Sequence, residues 1–198
     1  MRTTPEATVL HALLAVMAER GVDSCVMEVS SHALAQHRVD GVVYDVALFT
    51  NLSQDHLDFH PTMRDYFEAK ASLFTPERSR LGIVCVDDEW GRELAQTASV
   101  PVTTVTSVPD VAADWRLEAG ATPEQRTLTD GATALHLRSA VPGDFNRVNT
   151  AMAALALMAA GLSPRDVEHA LAQDPHVPGR MQRVGVDAPD SGLPDVVV

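Results

Sequence analysis

Leu81-Gly-Ile-Val-Cys-Val-Asp-Asp-Glu-Trp-Gly-Arg-Glu-Leu-Ala-Gln-Thr-Ala-Ser-Val-Pro-Val-Thr-Thr-Val105 is the stretch that decides the fold. Leu81 to Val86 is short and continuously apolar, as strands buried on both faces are. Glu89 to Ala98 reads as a helix, and Val102 to Val105 as a second short strand. Working towards the N-terminus, Tyr44 to Thr50 reads as a strand. A helix from about Thr62 to Phe74 follows it, with Pro76 just beyond its end. Ser24 to Val29 (Ser-Cys-Val-Met-Glu-Val) reads as an earlier strand, and Ser30 to Val39 begins as a loop and turns helical. Ahead of these, Thr3 and Glu6 stand at capping-box spacing and Pro5 suits a first helical turn. Val9, Leu10, Leu13, Leu14 and Met17 make one apolar stripe that Gly21 ends. The alternation predicts an α/β fold: a three-layer, mostly parallel sheet flanked by helices, with right-handed crossovers.

Towards the C-terminus the signal weakens between Asp110 and Ser139, where Trp115-Arg-Leu and Ala134-Leu-His-Leu read as strands of a meander. Asn146 to Ala160 is an Ala-rich helix stopped by Gly161, and Ser163-Pro164 opens another that ends near Ala172. The 198 residues carry 27 acidic and 15 basic side chains, a formal net charge of -12. That balance argues against nucleic-acid or anionic-membrane partners, which need clustered Lys and Arg. A 45% apolar, 21% charged composition is that of a soluble globular chain. No run of 18 apolar residues spans a bilayer, and Met-Arg-Thr-Thr-Pro-Glu has no signal-peptide core. Cys25 and Cys85 both sit in apolar runs and read as buried thiols, which points to the cytoplasm. Both ends read as cut: Asp195-Val-Val-Val stops inside an apolar strand, and the first residue enters a capped helix with no strand before it.

The densest set of chemically able side chains runs from Glu28 to Lys70. Glu28, Ser30, Ser31 and His32 follow one expected strand, Asp55, His56, Asp58 and His60 the next, and Lys70 lies on the helix after that. In an open parallel sheet, ligands bind outside the carboxyl ends of the strands, so these loops converge. Each residue keeps a plainer reading: Glu28 as an edge-strand acid, Lys70 as a solvated helix lysine, His56 and His60 as loop histidines or a zinc pair. Ser30-Ser31-His32 lacks the Gly-x-Ser-x-Gly elbow of a serine hydrolase. Asn146 and Asn149 put two carboxamides on one helix face, with Asn146 also readable as an N-cap. Arg180, after Pro178-Gly179, sits on a tight turn from which a guanidinium reaches phosphate.

Taken in order, Thr-Thr-Pro-Glu-Ala, Met-Glu-Val-Ser-Ser-His-Ala-Leu, Asn-Leu-Ser-Gln-Asp-His-Leu-Asp-Phe-His, Asp-Tyr-Phe-Glu-Ala-Lys, Pro-Gly-Asp-Phe-Asn-Arg-Val-Asn and Val-Pro-Gly-Arg-Met resemble the Mur ligases. Within that family the chain is similar to the MurE type, across about residues 2 to 184. The resemblance implies the central ATPase domain of a cytoplasmic ligase in peptidoglycan synthesis. Such a ligase adds a third residue, meso-diaminopimelate or L-lysine, to UDP-N-acetylmuramoyl-L-alanyl-D-glutamate through an acyl phosphate. It implies that Thr3, Thr4, Ser30, Gln36 and Arg38 hold the UDP-muramoyl dipeptide, and that Asn149 and Arg180 contact ATP. It also implies that Glu28 and His56 bind Mg²⁺ and that Lys70 is carboxylated by CO₂, turning a cation into a metal-binding carbamate. Residues 185–198 would then begin the link to a C-terminal ligase domain, and an Ala/Val/Arg/Asp-rich composition favours diaminopimelate.

One departure stands against the matches. The family's phosphate loop, Gly-x-x-Gly-Lys-Thr, should precede Thr3, and no Gly-Lys-Thr or Gly-Lys-Ser occurs in the chain. The expectation is therefore a domain fragment that is inactive alone. The alternatives are a non-catalytic muramoyl-peptide-binding protein, a related folylpolyglutamate or cyanophycin synthetase, or a two-histidine metal hydrolase.

Overall fold

The computed structural model describes residues 3–54, 58–122, 125–138, 143–173, 183–184 and 196–197. The chain divides into two compact units, residues 1–105 with 111–113, and residues 106–110 with 114–198.

In the first unit the βαβ reading of the opening stretch holds. β1 (Tyr44–Phe49), β2 (Ser79–Cys85) and β3 (Val102–Thr106) form a parallel ladder with β2 in the middle. Tyr44 is registered on Ser79 and Phe49 on Val84, then Gly82 on Val102 and Cys85 on Val105. Four helices accompany the ladder: α1 (Ala7–Glu19), α2 (Ser31–Ala35), α3 (Met63–Ala71) and α4 (Glu89–Thr97). α2, α3 and α4 start where the sequence supplies a cap. The side chains of Ser30, Thr62 and Asp88 accept from the backbone N–H of Ala33, Asp65 and Gly91, each cap contributing about 1 kcal/mol. The core is built by Phe49, Phe67, Phe74, Val84 and Leu94, with Phe49 edge-on to both Phe67 and Phe74.

Two expectations fail at the N-terminal end. Ser24 to Val29 is not a strand: among the described residues no strand pairs with it, and Val26 is 95% exposed. Strand state is a property of pairing, and apolar β-branched sequence alone does not create a ladder. Cys25 is accordingly exposed, while Cys85, in the middle strand, is buried as expected. The capping box is not formed either. α1 is capped by Glu6 without a side-chain hydrogen bond, and only Leu10 of its apolar stripe is fully buried. Thr4 is instead buried elsewhere, and Glu6 pairs with Arg38.

In the second unit, β4 (Trp115–Ala119), β5 (Gln125–Thr129) and β6 (Ala134–Arg138) are antiparallel neighbours. Two of these are the expected meander strands, and β5 was not read from the sequence because Leu128 is its single core residue. α5 (Asp144–Ala159) begins two residues earlier than expected, so Gly143, not Asn146, is its N-cap. α6 (Pro164–Leu171) is capped by Ser163 and packs on β6, where Glu168 accepts from the backbone N–H of His136. β7 (Arg183–Val184) and β8 (Val196–Val197) make a two-residue antiparallel pair. The six larger strands thus make a mixed set flanked by helices. None of the helices among the described residues is long and apolar enough to cross a membrane.

Candidate functional site

Thr4 is the hub of the first group of candidate residues. Fully buried, its hydroxyl donates to the Glu28 carbonyl at 2.8 Å and accepts from the Ser30 N–H at 3.0 Å, with the Ser30 hydroxyl 3.4 Å away. A hydroxyl with donor and acceptor both engaged in this way fixes the Glu28–Ser30 backbone. It leaves the Glu28 carboxylate exposed and the Ser30 side chain capping α2. Thr3 beside it is exposed.

Arg38 is the second anchor. Its guanidinium is buried, donates to the Thr4 carbonyl at 3.4 Å and to Gln36 Oε1, and faces Glu6 Oε2 at 3.4 Å. The Glu6 contact is an ion pair whose geometry does not give Nε a hydrogen bond. A buried cation is tolerated only when paired, and one carboxylate with two neutral oxygens supplies that here. Thr4, Glu28, Ser30, Gln36 and Arg38 are therefore one connected group.

Lys70 sits in the last turn of α3, half-buried. It lines a small cavity of about 50 Å³ with Val29, Leu34, Leu48, Phe49, Thr50, Asn51, Leu73 and Phe74. The ammonium lies 5.3 Å from the Tyr66 ring centroid, one turn back on the same helix. Of 15 Lys and Arg side chains in the sequence, Lys70 is the single lysine. The cavity joins it to the Glu28–Ser30 segment through Val29.

Ser31 belongs to the Ser-Ser-His run that lacks a hydrolase elbow and His60 is readable as a loop histidine or half of a zinc pair; the structure gives them to each other. His60 Nε2 and Ser31 Oγ are 2.9 Å apart, and both residues are buried, at 4% and 1% exposure. A serine closed off in this way is no nucleophile for an external substrate, and that ring nitrogen is already engaged. The His32 ring lies tilted against Phe59, with centroids 4.2 Å apart. Among the described residues no group of three His, Cys, Asp or Glu side chains could hold a metal. His56 and Arg180 lie outside the described residues. Asn149 is exposed on α5 of the second unit. That unit also holds a cavity of about 770 Å³, lined by Arg116, Glu118, Arg126 and Arg147 among others, which no motif announces.

Comparison with known proteins decides the lineage. Residues 1–158 match the Mur ligase middle domain. The chain belongs to the Mur ligase family. It is 52% identical over 194 residues to the UDP-N-acetylmuramoyl-L-alanyl-D-glutamate--2,6-diaminopimelate ligase of Streptomyces avermitilis, covering 95% of this chain and 38% of that protein. A UDP-N-acetylmuramyl-tripeptide synthetase of Leifsonia xyli is 46% identical over 197 residues, covering 93% of this chain and again 38% of the relative. Among solved structures, a UDP-N-acetylmuramoyl-L-alanyl-D-glutamate--2,6-diaminopimelate ligase superposes with a TM-score of 0.82 at 27% identity. That match covers 93% of this chain and 39% of the other. This Mur ligase domain thus spans about two fifths of the length of the relatives it matches.

Proposed function

We propose that this chain is the central domain of an ATP-dependent amide ligase of the MurE type. The complete enzyme would act in the cytoplasm on UDP-N-acetylmuramoyl-L-alanyl-D-glutamate and a diamino acid. Meso-diaminopimelate is the proposed diamino acid, since the Streptomyces relative is named for it. The observation that carries the reading is the placement of Lys70. The only lysine of the chain is half-buried and lines a small cavity that Val29, the residue after Glu28, also lines.

The reaction joins two groups that resist joining. The D-glutamate γ-carboxylate must approach an anionic nucleotide to become an acyl phosphate, which the incoming amine then attacks. Neutralising that repulsion and fixing the line of attack are the domain's tasks. Carbamate formation requires the amine in its neutral form. In that step the Nζ–carbon bond forms, one proton leaves, and a lysine becomes an anionic carbamate. The exposed Glu28 carboxylate, held by Thr4 through its own carbonyl, supplies a second anionic oxygen donor, and His56 the imidazole of the same set. Oxygen donors of this kind suit Mg²⁺, which when bound would neutralise phosphate charge. Thr3, Ser30 and Gln36 are the proposed contacts to the UDP-muramoyl dipeptide, with Thr4 and Arg38 buried behind them and holding that segment in place, and Asn149 and Arg180 are the proposed contacts to ATP. The segment contains no Gly-Lys-Thr or Gly-Lys-Ser, so by itself it should not turn over ATP.

The test is Lys70→Ala in the complete ligase, assayed by ADP release coupled to tripeptide formation. The variant should lose about a hundredfold or more in kcat, the scale on which oriented electrostatic groups act. Wild-type turnover in that variant would end the proposal.

A further inference from the structure

The Ser31–His60 pair is a costly way to fill buried space. Two apolar side chains of the same shape would avoid desolvating a hydroxyl and an imidazole. What the polar pair adds is direction, because a hydrogen bond fixes the placement of both partners where apolar packing would allow them to slide. Its partners bear on the two halves of the candidate site. Ser31 directly follows Ser30 at the start of α2, in the segment that Thr4 ties to Glu28. On its other side the His60 ring stacks on Tyr66 of α3, with centroids 5.2 Å apart and an interplanar angle of 21°. Tyr66 in turn carries the Lys70 ammonium 5.3 Å from its ring centroid. His60 also stands edge-on to Phe59 and His32, at 4.9 and 5.7 Å, so its ring is held on several sides.

We propose that His60 is a positioning residue: one buried imidazole sets the Lys70 amine, through Tyr66, against the Glu28–Ser30 segment, through Ser31. It touches no reacting atom. The inference rests on the reading of Lys70 given above and adds a residue and a route to it. The carbamate of Lys70 forms reversibly, so a misplaced amine holds CO₂ less well. Loss of His60 should therefore appear as a greater need for bicarbonate, alongside a lower rate.

The experiment uses the complete ligase and three variants: His60→Phe with Ser31→Ala, His60→Gln, and Tyr66→Leu. The double variant keeps a ring on Tyr66 and leaves no buried hydroxyl unpaired. His60→Gln keeps a hydrogen-bonding group for Ser31 and loses the ring. Each is assayed for kcat, for KM of ATP and for the bicarbonate concentration giving half-maximal rate. Lys70 carbamate is trapped with an alkylating oxonium salt and read by peptide mass spectrometry. Losing a group that orients an active-site ligand typically costs about 10–100-fold. We expect the double variant to lose kcat on that scale, with KM of ATP within about twofold, a raised bicarbonate requirement and partial rescue by added bicarbonate. His60→Gln should fall between it and wild type. A role confined to folding would lower the melting temperature and the active fraction without moving the bicarbonate requirement, and that result overturns the inference. If the double variant does not fold, His60→Gln and Tyr66→Leu carry the same readouts. Wild-type enzyme without trapped carbamate at Lys70 would instead sink the reading of Lys70, and the role of His60 with it. Wild-type enzyme with carbamate, beside variants of unchanged bicarbonate requirement, sinks the His60 role alone.

Discussion

Cys85 and Cys25 show how far one residue's surroundings decide its chemistry. Burial pushes the Cys85 thiol from an ordinary 9.0 up to about 12, only partly offset by a backbone hydrogen bond at Asp87. The folded form therefore keeps a proton that the unfolded form releases first. Below pH 9.0 both forms are protonated and the contribution is complete. As pH climbs from 9.0 towards about 12 the unfolded state ionises alone, and stability falls. Tyr44, raised first by burial and then by Cys25, acts in the same direction. The denaturation midpoint should thus decline across that alkaline range, and Cys85→Ala should flatten the decline. A thiol reagent at neutral pH should label Cys25 rapidly and leave Cys85 untouched until the protein unfolds. Equal labelling rates would contradict the burial. Both cysteines lie in apolar runs, so sequence alone gave them one reading. They part because Cys85 has a ladder on each side and Cys25 has none among the described residues. The candidate site was legible in the same uneven way. Glu28, Ser30, Arg38 and Lys70 stood out as motif residues. The partner of Ser31 lies 29 residues away, and no local pattern announces a contact of that span.

At the scale of elements, what could be read was whatever a short window specifies. β1, α3, β2, α4 and β3 fell where apolar runs and caps put them, because hydrophobic period and capping are local. The 24–29 segment failed because pairing is not local, and β5 was missed because one buried leucine in five residues leaves no period to detect. The turn from β2 into α4 yields a sharp prediction. Asp88 caps α4 by accepting from the Gly91 N–H at 2.6 Å, which draws the first turn of the helix down onto the end of the strand. A Cβ at Gly91 would lie 1.8 Å from the Cys85 carbonyl oxygen, and backbone cannot yield as a side-chain tip does. Gly91→Ala improves helix propensity by about 1 kcal/mol in isolation. The clash should outweigh it, since overpacking against fixed groups costs about 1–3 kcal/mol or more. Chemical denaturation should show a net loss of stability. A gain would mean that α4 can lift away from β2 freely.

For the molecule as a whole, the surface of the first unit is the feature that matters most. Val9, Leu13 and Val16 of α1, then Val22 and Val26 after it, are all exposed. Scattered exposed apolar side chains are ordinary, but here several fall on one helix and on the segment just after it. That segment, Ser24 to Val29, is apolar, β-branched and without a ladder among the described residues, a combination that invites pairing with another chain. A formal charge of -12 opposes such association through repulsion, and salt screens that repulsion within about 8 Å at physiological ionic strength. Apolar attraction is not screened, so the balance should tip towards association as salt rises. The 198-residue segment expressed by itself should therefore bind a hydrophobic dye and sediment as oligomers, increasingly so with added salt. Val26→Lys should reduce both effects, because it places a solvated charge where the unpaired segment is most exposed. A segment that stays monomeric and dye-free at high salt would show that these valines do not form an adhesive surface.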